Sequence, residues 1–130
     1  MRISRIVYEI YQSDLAYLER REWNEPHELD GQVRLEFTDM DPMFISWVED
    51  KGDFHASYQD RSFFKAELEV IKDMSTSIIW EPLIGQEVDV SFLDLNAFVV
   101  VIRSQNERVY CWAMGVDQIT VGRRLPESAT

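Results

Sequence analysis

The chain has 130 residues, 45% of them hydrophobic, with 24 acidic against 13 basic side chains and a formal net charge of −11. That length and apolar content suit one packed domain and exclude a disordered chain. The charge disfavours nucleic acid and anionic membranes as partners, and the single cysteine, Cys111, excludes an intramolecular disulfide.

No apolar run reaches the length of a membrane span or a signal peptide, so a soluble, cytoplasmic protein is expected. A single domain over residues 1–122 is expected, followed by a frayed tail over 123–130.

Residues 2–11 alternate, with Ile6, Tyr8 and Ile10 on one face and Arg5, Val7 and Glu9 on the other, which predicts a strand. Ser13 is placed to cap a short helix through Arg21, with Asp14 in its first turn and Arg20 and Arg21 in its last. Residues 23–30 read as a loop, punctuated by Asn24, Pro26 and Asp30-Gly31. Residues 32–38 form a half-buried strand pattern, with Val33, Leu35 and Phe37 inward. A turn over 39–42 leads to a strand over 43–48. A hairpin turn follows over 49–53, where Gly52 suits positive φ, and Phe54, Ala56 and Tyr58 alternate on the return.

Residues 61–73 fit two periods. Phe64, Ala66, Leu68 and Val70 alternate, while Phe64, Leu68 and Ile71 also fit helical spacing; the unbroken alternation favours a strand. Residues 78–84 suit one helical turn, with Pro82 early and Gly85 closing it. Four apolar runs then follow, over 87–93, 98–103, 108–114 and 118–121. The polar gaps between them are short, so the runs pair as an antiparallel meander. Phe98 to Ile102 has no polar residue, as in a strand buried on both faces or central in its sheet.

The fold class is therefore mainly β, a β-rich α+β chain with one or two short helices and a C-terminal meander. A strongly bent antiparallel sheet, a partly open barrel and a two-layer sandwich all suit the pattern.

Few residues suggest chemistry. His27 and His55 both sit beside acids and read as solvated surface histidines. Two isolated histidines and one cysteine do not supply a zinc ligand set, and no cofactor or metal is expected. Cys111, between Tyr110 and Trp112, reads as a buried structural thiol unless His55 meets it in space. Asp39-x-Asp41 and Asp50-x-x-Asp53 have the look of turn chemistry rather than a calcium loop, and Glu67 and Glu69 that of a solvent face rather than a hydrolytic pair.

The acids are unevenly spread. Residues 22–60 hold eleven of them against Arg34 and Lys51, a local charge of −9. Such a surface would attract and steer a basic protein partner. Trp80 and Trp112 read as core, the face of Trp47 stays open, and Trp23 stands among Glu22, Glu25 and Glu28 like a hot spot with an anionic rim. The predicted contact face is Trp23, Glu25, Glu28, Asp39, Asp41, Asp50 and Asp53.

From Trp80 onward the features run in a recognisable order. A Trp80-x-x-Leu83-Ile84-Gly85 corner precedes an apolar strand, an aromatic strand and a final Asp117-x-Ile119-x-Val121 strand. This resembles small, acidic, stand-alone bacterial proteins of uncharacterised families, some of them immunity proteins of polymorphic toxin systems. The resemblance implies a non-enzymatic protein that binds and blocks a toxin in the cytoplasm. The alternatives are a small-ligand barrel or sandwich with a pocket lined by Trp47, Tyr58 and Trp112, and an enzyme in which His55 converges with Cys111 or a carboxylate pair.

Overall fold

The computed structural model describes residues 1–21, 25–93, 96–113 and 118–125. Its strands form two antiparallel five-stranded sheets. The first contains β1 (Ile3–Ile10), β3 (Gly31–Phe37), β4 (Met43–Asp50), β5 (Asp53–Gln59) and β6 (Val70–Asp73), in the order β5-β4-β3-β1-β6. The second contains β2 (His27–Leu29), β7 (Asp89–Leu93), β8 (Asn96–Arg103), β9 (Arg108–Trp112) and β10 (Ile119–Gly122), in the order β2-β10-β9-β8-β7. One α-helix, α1 (Gln12–Arg21), follows β1, and a 3-10 turn spans Glu81–Leu83.

The two sheets share a core. Ile6, Tyr8, Ile10, Val33, Leu35 and Ile45 of the first meet Val100, Ile102, Val109, Cys111, Ile119 and Val121 of the second in one buried cluster. Trp80 lies wholly inside it, and Trp112 is also buried. The alternation rule predicts these faces well, because each strand has one side on the core. Val7 departs from it: it is on the opposite face yet fully buried, between Arg34 on β3 and Asp73 on β6.

The chain links the sheets early. After β1 it forms α1, contributes β2 to the edge of the second sheet, and returns as β3 of the first. The segment 23–30 was expected to be a loop throughout. Instead His27, Glu28 and Leu29 pair with Val121, Thr120 and Ile119. Three residues carry too little pattern to announce a strand; their ladder comes from β10, far along the chain. The helix begins one residue before the predicted cap, so Ser13 lies inside its first turn, and Asp14 accepts a 2.7 Å hydrogen bond from the Asp30 N–H.

Residues 61–69 correct a second expectation. The alternating strand is confined to β6, and the chain before it has no regular structure. Strands β5 and β6 occupy opposite edges of their sheet. The connection must therefore cross four strand spacings, roughly 19 Å, over the outer face. It is latched there by Gln32, whose amide donates to Ser62 Oγ at 2.8 Å and to Glu9 at 2.9 Å and accepts from the Phe63 N–H at 2.9 Å. Beyond β6 the chain continues along β1: Met74 N–H bonds the Ile6 carbonyl and Gly85 N–H the Ile3 carbonyl. The Trp80 to Gly85 corner thus docks on the start of β1, with Gly85 at φ 80°.

The meander forms as expected, β7 to β10 each pairing with the next. The turns at 94–95 and 114–117, and residues 126–130 of the tail, lie outside the described residues. The start of the tail is held rather than frayed, since Arg123 bonds Glu25. No helix is long and apolar enough to cross a membrane among the described residues.

Candidate functional site

The predicted acidic contact face divides. Asp39 and Asp41 lie between β3 and β4, and Asp50 and Asp53 lie at the far end of β4. Eight residues of strand separate the two pairs, roughly 25 Å. Asp39 is also occupied: it accepts a 3.0 Å hydrogen bond from the Arg2 N–H and lies 3.7 Å from the N-terminal amine. The Arg2 hydrogen bond is the main cause that holds its carboxyl below the usual range. Asp41 is exposed.

Glu25 is half-buried and engaged. Its carboxylate accepts the Arg123 backbone N–H at 2.8 Å and its Nε at 3.3 Å, closing the chain's end onto the β2 segment. Glu28 is exposed on β2, opposite Thr120. Trp23 lies outside the described residues. Among the described residues, the six predicted acids therefore do not make one continuous face.

Asp50 and Asp53 have better company. They are exposed and directly opposite across the β4–β5 hairpin, closed by Lys51 and Gly52 at φ 54° and 86°. Successive positive φ values are those of the turn whose twist matches a tight hairpin. Next along the strands come Glu49, also exposed, and then an aromatic ledge. The Trp47 and Phe54 rings lie 5.9 Å apart, His55 and Phe98 5.8 Å apart edge to face, and Tyr58 and Phe92 5.0 Å apart. The Trp47–Phe54 pair lies across β4 and β5, and the other two form where edge strand β5 meets the second sheet, chiefly β8. Phe98 is 50% exposed and Phe92 38%. The Trp47 indole N–H is buried without a hydrogen-bond partner, an uncommon state for a polar atom.

The sequence suggests that Phe98 belongs to a strand buried on both faces or central in its sheet, and that Phe92 lies in the apolar run over 87–93. They keep the phase of the core residues Val90, Val100 and Ile102, but they sit near the tip of the β7–β8 hairpin, where the facing sheet ends at β5. Their position beside the polar Asp94 to Asn96 gap was the available signal.

The two histidines correct the surface reading. His55 is half-buried against Phe98, and its Nδ1 lies 3.1 Å from the Ala56 carbonyl. His27 is fully buried, 2.9 Å from the Tyr8 hydroxyl. Cys111 is fully buried, and burial pushes its thiol up, away from the reactive thiolate. His55 and Cys111 are not brought together: the first meets Phe98 and a backbone carbonyl, the second the core cluster. Nor do Trp47, Tyr58 and Trp112 line one pocket. Trp47 and Tyr58 are on the face of the first sheet that carries Ile45 and Ala56, whereas Trp112 is opposite Val99 and Thr120, on the outer face of the second.

The rings pack on one another and are part exposed, and Glu49, Asp50 and Asp53 lie at the hairpin end of β4 and β5. Comparison with protein-family models, curated proteins and solved structures gives no match to this chain.

Proposed function

We propose that this protein is a non-enzymatic binding module that docks a basic protein partner on the aromatic ledge, with an immunity-like inhibitor of a toxin as its sharpest form. The observation that carries the reading is the ledge itself. Phe98 and Phe92 are exposed, and Phe98 packs on His55, two residues along β5 from Asp53 at the hairpin that also carries Glu49 and Asp50, in a chain of net charge −11. Rigid aromatic side chains are typical anchors of an interface, and carboxylates beside them govern how fast a cationic partner arrives. Toxins that act on nucleic acid are themselves basic, because their substrate is anionic. A cytoplasmic setting belongs to this reading.

The division of labour is testable with a partner captured from the native cell. Asp50→Asn with Asp53→Asn slows association, most at low salt, and leaves dissociation nearly unchanged. Phe98→Ser speeds dissociation and leaves the salt dependence of association intact. An association rate indifferent to salt, with both variants binding like the parent, rejects the reading.

A further inference from the structure

On the outer face of the second sheet the charge reverses. Arg103 ends β8 and Arg108 begins β9, and they stand directly opposite each other in the ladder. Opposite residues share a face, so two like charges sit side by side, an arrangement that is destabilising unless something offsets it. Arg103 Nε is buried and has no hydrogen-bond partner. Asp89 flanks Arg103 on its other side in the ladder without forming an ion pair. Arg108 uses Nη1 to bond the Ser104 and Glu107 carbonyls, at 3.1 and 3.2 Å, which leaves the rest of its guanidinium uncommitted.

Arg124 joins them from the chain's end and is exposed. Among the described residues, Arg103, Arg108 and Arg124 form no ion pair, although the chain carries 24 acids and pairs Arg5, Arg34 and Arg123 with carboxylates. A cleft of about 350 Å³ opens between Asn106, Glu107, Arg108, Tyr110, Arg123 and Arg124. A second cavity of about 280 Å³ adjoins it across Arg123 and Arg124 and is lined by Glu25, whose carboxylate is held by Arg123, and by Pro26, Trp112, Gly122 and Leu125. One side of the Arg123-Arg124 backbone is thus cationic and the other mainly apolar.

We infer that this double cleft binds an organic anion with an apolar body. A phosphate or carboxylate head fits the forks of Arg108 and Arg124, which match such groups in two-point hydrogen bonds. Tyr110 lines the same cleft and carries a hydroxyl donor. The body lies against Trp112 and Leu125. The site lies on the outer face of the second sheet, and its ligand offsets the charge of Arg108, which stands beside Arg103 in the ladder.

Titration of the full chain with phenyl phosphate, followed by NMR of the indole and arginine Nε–H signals, tests this. The Trp112, Arg108 and Arg124 signals should shift and saturate. Phenyl phosphate should bind at least tenfold more tightly than inorganic phosphate or benzyl alcohol. Arg108→Ala and Arg124→Ala should each weaken it at least tenfold, and Arg20→Ala, on the exposed face of α1, should not. Equal affinity for phenyl and inorganic phosphate, undiminished binding by Arg124→Ala, or shifts that grow linearly and equally at Arg20 and Arg61 would overturn the inference. Because Arg124 is exposed and makes no ion pair, its variant retains the fold and decides the matter even if Arg108→Ala does not.

Discussion

The Tyr8 hydroxyl and Nδ1 of His27 share a hydrogen bond of 2.9 Å, in a site where both side chains are fully buried. Trp80 Nε1, a donor only, gives a second hydrogen bond to the same oxygen at 2.8 Å. This chain of contacts joins β1 of the first sheet, the Trp80 corner and β2 of the second. It fixes where the two sheets meet. Burial pushes the Tyr8 phenol well above its ordinary range, so it stays neutral.

Tyr8→Phe removes one oxygen, which orphans the buried Trp80 N–H and takes the hydroxyl partner from His27 Nδ1. At about 1–3 kcal/mol for each group that loses this partner, the loss of stability is about 2–6 kcal/mol. Urea unfolding should show it as a lower midpoint with an unchanged slope. Tyr17→Phe, at a half-buried position on α1, should change the midpoint little.

Gly31 begins β3 at φ 155°, and a side-chain carbon there would run into the Glu9 carbonyl on β1. The opposing atom is backbone and cannot swing aside. Gly31→Ala should cost on the order of 3 kcal/mol, from strain and overpacking together, measured by the same unfolding experiment.

Much of this architecture was legible in the residues. The period-two runs of β1, β3, β4 and β5 and the meander are there because each strand has one face on a shared core. Trp80 and Cys111 declared their burial by their neighbours. His27 did not, since a histidine between Pro26 and Glu28 looks solvated until Tyr8 supplies its partner from another strand. The strap over 61–69 kept a strand's alternation without a strand's edge to pair with, and only the sheet order shows that. Of the proposed binding face, Asp50 and Asp53 were visible as acids. The rings that give them meaning were not, because exposure at a hairpin tip depends on where the facing sheet ends.

Acid should weaken the fold through Glu36 and Asp39. The Arg5 hydrogen bonds are the main cause that holds the Glu36 carboxyl below its ordinary range, with Arg34 adding to them, as Arg2 does for Asp39. A carboxylate with a lowered folded-state pKa binds fewer protons folded than unfolded. Its stabilisation is present above the ordinary carboxylate pKa of about 4 and is lost as pH falls through the lowered value. Unfolding midpoints followed from pH 6 to pH 2 should fall, and Glu36→Gln should start lower at pH 6 and fall less steeply. Parallel curves for the two proteins would contradict this.

Substitutions on the ledge should separate binding from folding. Phe98 is half exposed, so Phe98→Ser should cost less than about 1 kcal/mol, and the hairpin pair Asp50→Asn with Asp53→Asn less than about 0.5 kcal/mol. Thermal unfolding is the check. A collapse of the fold in either variant would make the ledge part of the core.

The central claim is that the aromatic ledge is where a basic protein docks. The most direct measurement is photo-cross-linking in the native cell, with a benzophenone amino acid replacing Phe98 in one strain and Ile71, exposed on edge strand β6, in another. One discrete adduct is expected from position 98, to a polypeptide of basic isoelectric point, absent from position 71 and lost when Asp50 and Asp53 are neutralised. Adducts alike from both positions, or an adduct at 98 to an acidic protein that survives the neutralisation, would contradict it.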